Sequence, residues 1–172
     1  NDFVIIDNRN GKISPTQQQI ADICDRRFGV GADGLMLLEL ADGYDFKMVY
    51  YNSDGRESTM CGNGGRCLVK FASHRGIEKP LYKFIAIDGE HDAEIEADGV
   101  VKLKMKDVSE VELATDHAVL NTGSPHYVKF EKNVPAIDVF AEGKRIRYSD
   151  PFKAEGINVN FAEKTATDKI MV

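Results

Sequence analysis

Basic clusters, paired cysteines and long apolar runs are all scarce in this sequence, and each shortage closes a route. Its 172 residues carry 22 Lys and Arg against 28 Asp and Glu, a formal charge of −6, with the basic residues spread along the chain. Nucleic acid and anionic membrane surfaces are therefore not expected partners. No apolar stretch approaches the length that spans a bilayer, and no charged-apolar-small segment opens the chain, so the reading by default is a cytoplasmic protein. The three cysteines, Cys24, Cys61 and Cys67, form no C-x-x-C pair and have no partnered histidine spacing. Neither a metal site nor a disulfide framework is expected from them. Low-complexity tracts and short tandem repeats are also missing.

What is present is enough to build a core: 42% of residues are hydrophobic and 29% charged, the balance of an ordered globular chain. Phe3 to Ile6 reads as a strand and Asn8-Arg9-Asn10-Gly11 as a turn. Ser14-Pro15-Thr16 then starts a helix, with Ile20, Ile23, Cys24 and Arg27-Phe28 at helical spacing and Gly29 as its C-terminal cap. Leu35 to Leu40 and Phe46 to Tyr51 form a hairpin through Asp42-Gly43. A second helix, apolar on much of its circumference and hence buried, runs from Arg66 to Arg75.

Beyond Pro80 the pattern changes to period two, with Asp98-Gly99 as a tight turn between strands and Lys102, Lys104 and Lys106 on the wet face. The acidic stretch Asp107 to Asp116 is the best boundary, giving units 1–115 and 116–172. After it, strands are expected around Tyr127–Phe130, Ile137–Phe140, Arg145–Tyr148, Asn158–Phe161 and Lys169–Val172. The fold class is α+β, with helices set against mostly antiparallel sheet.

Gly29-Val30-Gly31-Ala32-Asp33-Gly34 matches the dinucleotide pattern G-x-G-x-x-G, but a helix precedes it and a strand follows. Phosphate would meet the wrong end of the helix, so the stretch reads as a loop with tight turns.

Met60-Cys61-Gly62-Asn63-Gly64-Gly65-Arg66-Cys67 carries more information. A thiol just before a helix feels the positive end of its dipole, which favours thiolate. Glycines after it let backbone N–H groups approach an anion closely. A basic thiolate beside a carboxylate cradle suits removal of a proton α to a carboxylate. Cys24 and Cys67, on apolar helical positions, read as small buried hydrophobes instead, and Arg66 as a partner for acidic neighbours.

This octet resembles the diaminopimelate epimerase family, as do Asn1-Asp2-Phe3, Gly29 to Asp33, Tyr51 to Gly55, Asn121-Thr122-Gly123-Ser124-Pro125-His126 and Asn158-Val159-Asn160-Phe161. They occur in the family's order across nearly the whole chain. The resemblance implies two pseudo-symmetric lobes, each a mostly antiparallel sheet wrapped around a central helix, the second incomplete here. It implies an isomerase of lysine and cell-wall precursor synthesis that interconverts LL- and meso-diaminopimelate without pyridoxal phosphate, metal or other cofactor. One cysteine from each lobe faces each side of the α-carbon. By the same resemblance Cys61 and His126 are the catalytic candidates, and Asn1, Asn52, Gly62, Asn63 and Asn158 the substrate-binding ones. The partner is a small amino acid, with a homodimer among the open assemblies.

Two positions depart from the pattern. Many family members have Gln where Gly34 stands and Asn where Ser124 stands, so side-chain contacts expected there are weaker or replaced. The family also has a short segment before Asn1 and a Glu-Arg pair and second Cys-Gly element beyond the equivalent of Val172. The sequence is thus expected to be part of a longer chain, and to lack turnover by itself. A proline or hydroxyproline racemase and a non-catalytic carboxylate-binding lobe are the alternatives.

Overall fold

The computed structural model describes all of residues 1–172, which divide into two compact units, Asn1–Met105 and Lys106–Val172. Residues 106–115, which the sequence boundary at 115 assigned to the first unit, go with the second. The reason is pairing: β7 (Val111–Leu113) lies antiparallel to β8 (Ala118–Asn121).

In the first unit β1 (Phe3–Asp7) leads through the Asn8 turn to α1 (Gln17–Cys24). Thr16 starts that helix with a reciprocal cap, accepting from the Gln19 N–H at 3.2 Å while the Gln19 side chain accepts from the Thr16 N–H at 2.9 Å. The helix stops at Cys24, earlier than its apolar spacing indicates. The Asp25 carboxylate accepts from the N–H groups of Arg27 and Phe28 at 2.8 and 2.7 Å. That local arrangement competes with helical bonding, and Phe28 is left 92% exposed. Gly29 does not cap the helix; a Cβ there would stand 2.0 Å from the Asp22 carbonyl oxygen, so only glycine lets the loop fold back so closely. The G-x-G-x-x-G stretch is this loop, between α1 and β2 (Gly34–Glu39).

Six strands follow the order β1-β2-β3-β4-β5-β6, with β3 at Phe46–Asn52, β4 at Leu81–Ala86, β5 at Gly89–Ile95 and β6 at Val101–Leu103. The β1/β2 and β3/β4 pairs are parallel and the rest antiparallel. Strand alternation sorts the side chains: Met36, Leu38, Met48 and Tyr50 face α2 (Gly62–His74), while Leu35, Leu37 and Val49 pack with Ile20 and Cys24 of α1. Both edge strands, β1 and β6, touch α2, so the sheet curls around that helix. Leu68, Val69 and Ala72 of α2 are fully buried, and removing a Leu side chain from such a core costs about 2–5 kcal/mol. One stripe of α2 nevertheless stays open, with Asn63, Arg66 and His74 exposed. Cys67 lies on it and is exposed too, which corrects its reading as a buried hydrophobe.

In the second unit the strand order is β11-β10-β9-β8-β7, with β9 at Pro125–Phe130, β10 at Asn158–Ala166 and β11 at Lys169–Met171. The expected strands Ile137–Phe140 and Arg145–Tyr148 are absent; most of those residues form α3 (Val139–Arg147). Asp138 caps it by accepting from the Ala141 N–H at 3.0 Å. Glu142 sits in the first turn and Lys144, Arg145 and Arg147 in the last, charges that suit the helix dipole. Ile146 reaches the core of Tyr127, Val134, Ile157 and Phe161. The path β9-α3-β10-β11, with β10 parallel to β9 and antiparallel to β11, repeats the path β1-α1-β2-β3. This repetition is the pseudo-symmetry of an α+β fold.

Candidate active site

Register sets the floor of the site in the first unit. Gly34 of β2 pairs with Phe3 of β1 on one side and Asn52 of β3 on the other, and alternation places this row on the α2 side of the sheet. Asn52 is exposed at the end of β3, and its carbonyl accepts from the Gly55 N–H at 2.9 Å to close the turn.

Cys61 is the N-cap residue of α2 and is half-buried against the core that contains Met36 and Tyr50. Its side chain makes no capping hydrogen bond, so the first-turn N–H groups of Gly62, Asn63 and Gly64 remain the open donors of a helix start. Gly62 is half-buried, and a Cβ there would make ordinary contact with the Met105 Sδ at 3.6 Å and the Arg66 guanidinium at 3.8 Å. The missing side chains of the next two glycines serve packing rather than the approach of an anion. A Cβ on Gly64 would meet the Met36 Sδ at 3.2 Å, and one on Gly65 the Leu103 Cδ2 at 3.0 Å and the Met60 Sδ at 3.1 Å. They let the helix press onto the sheet, and the Gly65 N–H already bonds the Cys61 carbonyl at 2.7 Å.

A directional chain of side chains starts from the first turn of α2. Arg66 donates to the Asn63 amide oxygen, so its partner is a neutral amide rather than the acidic neighbour expected from sequence. Asn63 Nδ2 donates to Asn1 Oδ1 at 2.8 Å, and Asn1 Nδ2 to Asp33 Oδ2 at 2.7 Å. Arg26 closes the far end with hydrogen bonds to Asp33 at 2.7 Å and to Asp2 at 2.8 and 3.0 Å. The Arg26 hydrogen bond holds the Asp2 carboxyl down at about 2. Asp33 is lowered by its Asn1 bond first and Arg26 second. Each amide still has one hydrogen and one lone pair uncommitted, which suits a ligand with both ammonium and carboxylate groups.

Gly34 has a steric cause. A Cβ on it would stand 2.4 Å from the Tyr51 carbonyl oxygen and 2.6 Å from the Tyr50 Cε2. The Tyr50 ring fills the space a residue-34 side chain would enter, braced edge-on by Phe3 at 5.9 Å. Burial first, then the charge of Cys61, pushes the Tyr50 phenol up to about 12.

The other two candidates stand in the second unit. His126 and Asn158 pair across β9 and β10, on the face opposite Tyr127, Val159 and Phe161. Asn158 Nδ2 donates to Ser124 Oγ at 3.3 Å and to the Pro125 carbonyl at 3.2 Å. Asn160, which the sequence reading did not single out, donates to the His126 Nδ1 at 3.1 Å and to the Tyr127 carbonyl at 3.2 Å. With Nδ1 accepting, the imidazole proton sits on Nε2, 3.2 Å from Ser124 Oγ. The signal for Asn160 was its spacing: Asn-x-Asn on a strand puts both amides on one face.

The family model for diaminopimelate epimerase matches residues 1–114. The chain belongs to the diaminopimelate epimerase family. It is 52% identical over 174 residues to the diaminopimelate epimerase of Flavobacterium psychrophilum and 42% identical over 180 residues to that of Chlorobaculum tepidum. All of this chain is covered in both cases, against 68% and 70% of those proteins. Among solved structures, a PhzF-family phenazine biosynthesis protein of Bacillus anthracis matches with a TM-score of 0.62 at 15% identity, covering 95% of this chain and 62% of that one. A probable proline racemase from Agrobacterium radiobacter matches with 0.60 at 14%, covering 87% and 56%. Those two likenesses concern the fold alone. No helix of this diaminopimelate epimerase family member is long and apolar enough to cross a membrane.

Proposed function

We propose that the protein interconverts LL- and meso-diaminopimelate, with Cys61 supplying one of the two groups that move the α-proton. The observation that carries this reading is Cys61 itself: a half-buried thiol at the N-cap of α2, two residues before Asn63, whose amide pairs with that of Asn1. In the forward step a thiolate sulfur takes the α-hydrogen and the electron pair is left at the α-carbon, delocalised into the carboxylate. A thiol on the opposite face then gives a proton to that carbon. One S–H bond forms, one breaks, and no oxidant or reductant is consumed. The second thiol is assigned by family membership, as is the place of the reaction in lysine and cell-wall precursor synthesis.

The helix start has two tasks here. Its open N–H groups and Arg66 balance the charge of a substrate carboxylate as the carbanion forms. The amides of Asn1 and Asn63 orient the zwitterion without adding net charge. Asn52 and Gly62 complete the proposed substrate-binding set of the first unit; Asn158 and His126, paired across β9 and β10, are the proposed substrate and catalytic candidates of the second.

The test is stereochemical inversion and solvent-deuterium incorporation at the α-carbon by the full-length protein, with Cys61→Ala as the comparison. Loss of both signals in the variant supports the assignment. Inversion of proline rather than diaminopimelate would move the reading to a proline racemase, and substrate binding without exchange would reduce it to a binding lobe.

A further inference from the structure

We propose that half-buried Asp88 and buried His91 form a positioning device for the Cys61 thiol, an inference that rests on the role just given to Cys61. Cys61 has no side-chain bond to the helix it precedes, so besides its packing against the core its orientation depends on its neighbours in the chain. Asp88 stands in the tight turn between β4 and β5, where Ala86 pairs with Gly89. Its Oδ1 accepts from the Met60 N–H at 3.2 Å and lies 3.2 Å from the His91 Nε2. Since a carboxylate only accepts, Nε2 is the donor. One oxygen thus gathers two donors, and one of them belongs to the residue directly before Cys61.

Met60 is gripped at its other end as well. Its Sδ lies 3.1 Å from where a Gly65 Cβ would be, so the missing side chain at 65 is the seat of the Met60 thioether. The backbone entering Cys61 is held by Asp88 and the side chain by α2.

His91 is the unusual member. Its side chain is 1% exposed and stacks on Phe84 at 5.3 Å and 29°, yet its Nδ1 has no hydrogen-bond partner. A buried unpaired polar atom is unfavourable, and phenylalanine would fill the same space without one. Packing alone does not account for an imidazole here. Its hydrogen bond to Asp88 does.

The experiment compares His91→Phe, Asp88→Ala and Asp88→Asn in the full-length protein, reading kcat, KM, thermal midpoint and the α-deuterium isotope effect on kcat. His91→Phe and Asp88→Ala should lower kcat roughly tenfold to a hundredfold, as small misplacements of reacting groups do, with KM within about twofold. The isotope effect should rise as proton transfer becomes limiting. Asp88→Asn keeps an oxygen for the Met60 N–H and should retain most of the activity. A role in stability alone would lower the thermal midpoint and leave kcat, KM and the isotope effect of the folded enzyme unchanged, which would overturn the proposal. Equal losses in Asp88→Asn and Asp88→Ala would also contradict it. If these variants are fully active while Cys61→Ala is dead, only the positioning role fails; if Cys61→Ala is active, the assignment of the thiol fails with it.

Discussion

Asn63 donates its side-chain amide to that of Asn1 at 2.8 Å across a sequence separation of 62 residues. This bond ties the chain's first residue to the first turn of α2, and Asp33 and Arg26 hold Asn1 from the other side. Asn63→Ala should therefore raise KM roughly tenfold to a hundredfold, the range set by about 1.5–3 kcal/mol for a hydrogen bond to a charged ligand group. Thermal stability should hardly move, since Asn63 is exposed. Steady-state kinetics beside a melting curve checks both halves.

The Arg26 clamp gives a pH dependence. Asp2 is lowered in the folded protein from its ordinary 3.8 to about 2. A depressed carboxyl contributes stability above its ordinary value and loses it as pH falls through the folded one. The clamp's contribution to stability should thus be complete above about pH 4 and be lost as pH falls toward pH 2, by a modest amount because the pair is exposed. Side-chain amide resonances of Asn1 followed by NMR should shift as Asp2 is protonated near pH 2; a change centred at about pH 4 or higher would contradict the clamp.

Thiol labelling separates the cysteines. Burial pushes the Cys24 thiol up, so it should stay unmodified by a small alkylating reagent until the protein unfolds. Cys67 is exposed and should label, and Cys67→Ala should leave turnover intact. Peptide mapping after brief exposure reads all three.

Two glycine substitutions should differ. Gly34→Ala drives a methyl against the Tyr51 backbone at 2.4 Å and should cost about 1–3 kcal/mol or more. Gly65→Ala meets only the movable ends of Leu103 and Met60, and about 1 kcal/mol of helix propensity offsets the squeeze. Urea unfolding of the two variants measures the difference.

The sequence made β1, the β2–β3 hairpin, α2 and the thiol at its start legible, because alternation, turn residues and a cap position are local signals. The end of α1 was not, since Asp25 overrides an apolar spacing that runs on to Phe28. α3 was missed because it buries little beyond Ile146, so its apolar residues looked like short strands; its Asp138 cap and charge order were the better guide. Cys67 looked buried beside Leu68 and Val69, and only the packing of α2 shows which stripe is open. The Asn1–Asn63 bond and the grip of Asp88 on Met60 join residues far apart in the chain, which no local pattern reveals.

The most direct test of the account is α-hydrogen exchange by full-length Cys61→Ala in deuterated solvent with diaminopimelate as substrate. The account predicts no deuterium at the α-carbon on the face served by Cys61 and no inversion, with the fold retained by circular dichroism. Inversion at a rate near that of the unsubstituted protein would show that another group moves the proton.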